Sequence, residues 1–140
     1  MIAYFDTSAV VPLLIEEPAS AGAVRLWDEA TRIVSTHLLY PEARSALARA
    51  QRVGRLSEDQ HTLAKHGLES LCRQVDQHIV TALLARRAGQ LAEDHALRGY
   101  DAVHLAAAEA SSDESLVVVS ADLDLCAAAS ALGLNVANLI

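Results

Sequence analysis

The chain holds only two cysteines, Cys72 and Cys126, three prolines, one tryptophan, one phenylalanine and a single lysine, Lys65. Two cysteines without paired spacing build neither a disulfide framework nor a four-ligand zinc site, and both are expected to be small buried thiols in a reducing cytoplasm. The one lysine sits in Leu63-Ala-Lys-His66, away from any glycine-rich loop, which excludes a Walker-type phosphate loop. No GxGxxG, GxSxG or HExxH string occurs. No stretch approaches 18 uncharged apolar residues, so no membrane span is expected. The apolar opening from Met1 to Ile15, with Ala19-Ser-Ala21 behind it, imitates a secretory signal. However, no Lys or Arg precedes Arg25 and Asp6 breaks the run, so a cytoplasmic location is expected. Basic residues are also short: 11 against 18 acids, a net charge of −7. That excludes a binder that coats nucleic acid through a general basic surface. It leaves open a local cation site, or RNA held along one arginine stripe.

What is abundant is apolar: 52% of 140 residues, enough for a well-filled core in one domain spanning residues 1–140. Ile2–Asp6 reads as a short buried strand, followed by a helix over 9–15 that Ser8 caps, with Pro12 tolerated near its first turn. Ser20 is expected to cap a second helix to about Ala30, and 32–35 is a second strand. A helix over 38–53 carries Leu39, Ala43, Ala46, Leu47 and Ala50 on one face and closes at Gly54. Ser57-Glu-Asp-Gln60 is a capping-box pattern for a helix to Leu71. The next helix is expected over 78–95, with Leu83, Leu84, Ala88, Leu91 and Ala92 as its stripe. A helix from Asp101 to Glu109, the β-branched strand 115–120, a helix over 122–132 stopped by Gly133 and a final strand over 135–139 complete the chain. Strands alternating with helices give an α/β fold with a parallel sheet.

In such a sheet, ligands sit outside the carboxyl ends of the strands. Asp6 ends the first strand, Asp122 follows the long valine strand, Asp101 begins a helix, and Glu42 lies in the first turns of another. Four acids from four segments are thus aimed at one edge. Carboxylate oxygens suit a hard divalent cation, and a metal relieves their mutual repulsion. Taken singly, Asp6, Asp101 and Asp122 also suit helix starts and Glu42 suits a solvated helix face, so spacing alone leaves both readings open.

Four strings run in order: Tyr4-Phe-Asp-Thr-Ser-Ala9; Glu42 ahead of Ser45-Ala-Leu-Ala-Arg49; Leu97-Arg-Gly-Tyr-Asp-Ala-Val-His-Leu-Ala106; and Val119-Ser-Ala-Asp-Leu-Asp-Leu125. With them the chain resembles PIN-domain ribonucleases, specifically VapC-type toxins of bacterial type II toxin–antitoxin pairs. The resemblance implies a three-layer α/β/α sandwich around a short central parallel sheet. It implies that Asp6, Glu42, Asp101 and Asp122 are the catalytic quartet binding Mg²⁺, with Mn²⁺ as the alternative. It further implies endonucleolytic hydrolysis of RNA leaving a 5′-phosphate and a 3′-hydroxyl, a homodimer, and a VapB-type antitoxin whose C-terminal segment wraps the toxin and occludes the metal site. DNA would be reached only through that antitoxin. Ser120 stands where the family often has threonine. Asp124 is an alternative to Asp122.

Thr7, Ser8 and Ser120 are candidates for holding metal-bound waters or phosphate oxygens. His104, three residues after Asp101, is expected to pack or to support the site without ligating metal. Arg49 and Arg52 are candidate phosphate contacts, and Val10, Leu13, Leu14, Leu38 and Leu39 candidate docking residues. Two other functions compete. A phosphatase of the haloacid-dehalogenase type would use Asp6 as nucleophile, but it wants a second Asp where Ser8 stands and a positioned lysine; a receiver domain fails similarly. A non-catalytic RNA- or partner-binding module of the same fold would not need the intact quartet.

Overall fold

A computed structural model describes all residues 1–140. Five strands, β1 (Ile2–Phe5), β2 (Arg32–Thr36), β3 (Asp76–His78), β4 (Leu116–Ser120) and β5 (Asn135–Asn138), form one sheet in the order β3-β2-β1-β4-β5. Every pairing is parallel. The helices are α1 (Thr7–Leu14), α2 (Ser20–Glu29), α3 (Leu39–Arg52), α4 (Glu58–Cys72), α5 (Ala82–His95), α6 (Gly99–Ala110) and α7 (Leu123–Ala131). No helix is long and apolar enough to cross a membrane.

Alternation along the strands sends their side chains into two separate cores. Tyr4, Val34, Leu116 and Val118 pack with residues of α5, α6 and α7. Ala3, Phe5, Ile33 and Val119 pack on the other face with residues of α1, α2, α3 and α4. This is the expected three-layer sandwich. The chain steps outward from β1 through β2 to β3, then crosses back over β1 to β4 and on to β5, so the winding reverses beside β1 and the switch point falls at the carboxyl ends of β1 and β4.

Local signals explain most boundaries. Ser57 Oγ accepts from Gln60 N at 3.1 Å while Gln60 Oε1 accepts from Ser57 N at 2.8 Å, the capping box of α4. Gly54 and Gly133 adopt φ of 82° and 81°, ending α3 and α7 in a conformation that costs glycine nothing.

Several expectations are corrected. β3 replaces the start of the helix expected from His78, and α5 begins only at Ala82, with Thr81 Oγ1 accepting from Leu84 N at 3.1 Å. Leu83, placed on the buried stripe, is 80% exposed, whereas Ala88 and Leu91 are buried and Leu84 and Ala92 pack against that core. The cap of α1 is Asp6, not Ser8, and Pro12 falls in the second turn. Ser20 does not cap α2; its hydroxyl contacts the carbonyls of Pro12 and Ile15, tying off the end of α1. Val10 and Leu39 are wholly buried core rather than docking surface, and Cys72 is only partly buried.

Helix α5 ends on Ala96 in the left-handed region, φ 53° and ψ 41°, where glycine is the usual residue. An L side chain there costs roughly 1–2 kcal/mol. Ala96→Gly is therefore expected to stabilise the fold by about 1 kcal/mol, read as a higher urea midpoint at unchanged slope.

Candidate active site

The switch point puts Asp6 one residue past β1 and Asp122 two residues past β4. Asp6 is 3% exposed, and its Oδ1 accepts from Ala9 N at 3.3 Å, satisfying a free amide of the first turn of α1. Ser8 Oγ lies 2.8 Å and 3.0 Å from the two Asp6 oxygens, 3.2 Å from Ser120 Oγ, and accepts from Ala121 N at 2.9 Å. One serine thus fastens the end of β1 to the end of β4. Ser120, fully buried, accepts from Asp122 N at 3.0 Å. Asp122 Oδ1 in turn caps α7 by accepting from Leu125 N at 3.0 Å.

Glu42 comes from the first turn of α3, and its Oε1 accepts from Thr7 Oγ1 at 2.8 Å and lies 2.7 Å from His104 Nε2. Asp101 comes from the first turn of α6, and its Oδ2 accepts from Arg98 Nε at 2.9 Å. Arg98 Nη2 also lies 3.8 Å from Asp122 Oδ2. Glu42, Arg98, Gly99, Tyr100 and Asp101 line a cleft of about 360 Å³. The scaffold holds one oxygen each of Glu42 and Asp122, and at Asp6 the cap bond falls on Oδ1 while the Ser8 hydroxyl reaches both oxygens. Glu42 Oε2 and Asp101 Oδ1 make no hydrogen bond within the protein.

The electrostatics match that crowding. Burial pushes the Asp6 carboxyl up to about 6, against the pull of His104 and the Ser8 and Ser120 hydroxyls, with the Asp122 charge pushing further upward. Burial also acts against the Glu42 carboxylate, but His104, through its hydrogen bond and its charge when protonated, the Thr7 hydroxyl and the Arg98 charge bring it below the ordinary glutamate value. The Arg98 guanidinium is raised by its hydrogen bond to Asp101 and by the nearby Asp122 and Glu42 charges.

Thr7, Ser8 and Ser120 each touch a quartet acid or its backbone. Asp124 is exposed in the first turn of α7 and makes no such contact, so Asp122 is the acid the fold turns to this edge. Arg49 and Arg52 are exposed in the last turn of α3, outside the cleft; Arg49 stands seven residues beyond Glu42, about 10 Å along the axis. The residue that sequence reasoning missed is Arg98. Its signal was its position three residues before Asp101, which brings two side chains together at a helix start.

A PIN-domain family model matches residues 3–131. The chain belongs to the PIN-domain family. It is 43% identical over 136 residues to "Ribonuclease VapC45" of Mycobacterium tuberculosis, covering 97% of this chain and 94% of that protein. PAE2754 from Pyrobaculum aerophilum, 23% identical, aligns with a TM-score of 0.67 over 91% of this chain and 84% of its own. VapBC-5 from Mycobacterium tuberculosis, 20% identical, aligns with a TM-score of 0.64 over 98% of each chain. PIN-domain ribonucleases generally depend on a divalent metal. The donor set here fits one: hard carboxylate oxygens around one cleft, with a guanidinium as the local cation. No three acids form a ready-made cage. A magnesium ion does not require one, since it binds through one or two carboxylates and keeps several waters.

Asp6 carries a stability cost. With its carboxyl near 6 in the fold and near 3.8 unfolded, the native state holds more protons across that window, so stability falls as pH rises through it and the full cost applies above pH 6. The difference corresponds to roughly 3 kcal/mol. Asp6→Asn keeps a capping oxygen and removes the charge. In EDTA it is expected to be more stable than the parent at pH 8 and no more stable at pH 4, by urea unfolding.

Proposed function

We propose that the protein is a metal-dependent endoribonuclease, the toxin of a VapBC-type toxin–antitoxin module, which hydrolyses RNA phosphodiester bonds and so inhibits translation and growth. The observation that supports this reading is that Ser8 and Ser120 join Asp6 to Asp122 at the ends of β1 and β4, while Arg98 spans from Asp122 to Asp101, which lines one cleft with Glu42. These acids occur in a chain 43% identical to a protein named a ribonuclease. A single PIN domain spanning residues 1–140 carries the site.

Asp6, Glu42, Asp101 and Asp122 are the proposed ligands of Mg²⁺, or Mn²⁺ in its place. When bound, the ion supplies an acidified water and neutralises charge on the scissile phosphate. The protein's own residues do the rest. Ser8 and Ser120 keep Asp6 and Asp122 in register across two strands, and Thr7 holds Glu42. Arg98, 83% exposed with one close contact to Asp101 and a longer one to Asp122, is placed to exchange its carboxylates for a substrate phosphate once a metal occupies the cleft. Arg49 and Arg52 extend the phosphate track along α3. VapBC-5, which shares this fold, is a member of the VapBC family of toxin–antitoxin systems, and this supports an antitoxin partner; we assign the protein a VapB-type antitoxin, a homodimeric state and a cytoplasmic location, with DNA reached only through the antitoxin.

With Mg²⁺ the purified protein is expected to cut RNA, and EDTA to stop it. Asp6→Ala or Asp101→Asn should lower the rate about 100-fold or more, since metal stabilisation is worth several kcal/mol. Circular dichroism checks the fold, and equal cleavage by a folded variant contradicts the assignment. Neutralising Arg49 and Arg52 together should reduce the slope of log affinity against log salt by about 1.4 for single-stranded RNA, and an unchanged slope removes them from the track.

A further inference from the structure

Behind Glu42 lies a buried polar column that neither the fold nor the proposed ligand set calls for. His104, on α6, is 1% exposed and Tyr4, on β1, is wholly buried; both stand among the leucines and alanines packed between the sheet and α5, α6 and α7. The Tyr4 hydroxyl lies 2.9 Å from His104 Nδ1, with the rings edge to face at 78° and 5.9 Å between centroids. The other ring nitrogen, Nε2, lies 2.7 Å from Glu42 Oε1 and 3.3 Å from Thr7 Oγ1. Two apolar side chains would fill this volume without desolvating an imidazole and a phenol, so packing alone does not account for the pair.

Resting on the proposed metal role of Glu42, we propose that His104, braced by Tyr4, is the positioning residue that presents Glu42 to the ion. A carboxylate oxygen only accepts, so Nε2 carries a proton and donates it to Oε1. In the neutral ring Nδ1 is then the acceptor, and the Tyr4 hydroxyl donates to it. Tyr4 therefore fixes both the ring's orientation and its tautomer, and His104 fixes one oxygen of Glu42. Thr7 donates to that same oxygen, so Oε2 is the oxygen left free for an ion. A carboxylate tied at one oxygen loses less freedom on taking an ion than a free one, which is how groups behind a ligand raise metal affinity. Asp101 and His104, three residues apart, let α6 supply one proposed ligand and the support for another.

The test is Mn²⁺ affinity, measured from the free-ion electron paramagnetic resonance signal without RNA, in His104→Gln, His104→Asn, Tyr4→Phe and Glu42→Gln. Glutamine reaches with its amide N–H to about where Nε2 stands; asparagine is polar and similarly small but stops at the level of Nδ1. With equal thermal stability, His104→Gln is expected within about threefold of the parent and His104→Asn about 10–100-fold weaker. Tyr4→Phe is expected between them. Equal affinity of the Gln and Asn variants, with Glu42→Gln weakened, overturns the positioning role and leaves the metal site standing. Unweakened binding in Glu42→Gln overturns the metal role of Glu42 and this inference with it. Should His104→Asn unfold, the ¹⁵N shifts of the His104 ring decide in the parent: a proton on Nε2 is expected, and one on Nδ1 alone overturns the proposal.

Discussion

The placement of one carboxylate, that of Asp6, organises the structure. It ends the central strand, caps the first helix, and receives the serine that ties β1 to β4. It does so almost wholly buried, which is why its pKa stands near 6. The same burial that makes Asp6 costly as a free anion makes it a strong partner for a cation, since attraction grows as water is excluded. The cap bond falls on Oδ1 and the single Ser8 hydroxyl proton points to one oxygen at a time, so Asp6 keeps lone pairs for the proposed chemistry.

Charge then explains the rest of the cleft. Asp101, Asp122 and Glu42 would repel each other if left bare, and Arg98 is the cation the chain itself brings. Its contacts are one hydrogen bond to Asp101 and a longer approach to Asp122, from a side chain that is mostly in solvent. Exposed pairs of this kind contribute little to stability, so Arg98 is easily displaced. Glu42 differs, because His104 and Thr7 hold it from the protein side and lower its pKa. The net charge of −7, which first counts against nucleic acid, is therefore concentrated in part at one pocket.

The sequence made the architecture legible where hydrophobic patterning was strong. Val117, Val118 and Val119 could only be a strand covered on both faces, and Ser57 with Gln60 marked a helix start. It hid β3 because Asp76-Gln77-His78 is polar, three residues long and at the sheet edge, where pairing with β2 rather than composition makes the strand. Ser8 misled for a related reason: two neighbouring residues both suit a cap, and only tertiary structure shows that Asp6 takes that role while Ser8 reaches across to β4. The strand-end rule pointed to Asp6 and Asp122, whereas Glu42 and Asp101, both in first turns of helices, were singled out as part of the quartet by the family resemblance. The Tyr4–His104 column was not legible, since its partners lie 100 residues apart.

A crystal of the protein soaked in Mn²⁺ locates the bound ion through its anomalous signal. A peak is expected in the cleft within coordination distance of Asp6 and Asp101, with Arg98 turned out of its contact with Asp101. A cleft without a peak at saturating ion, or an ion bound only elsewhere with Arg98 still paired to Asp101, would contradict the proposed metal site.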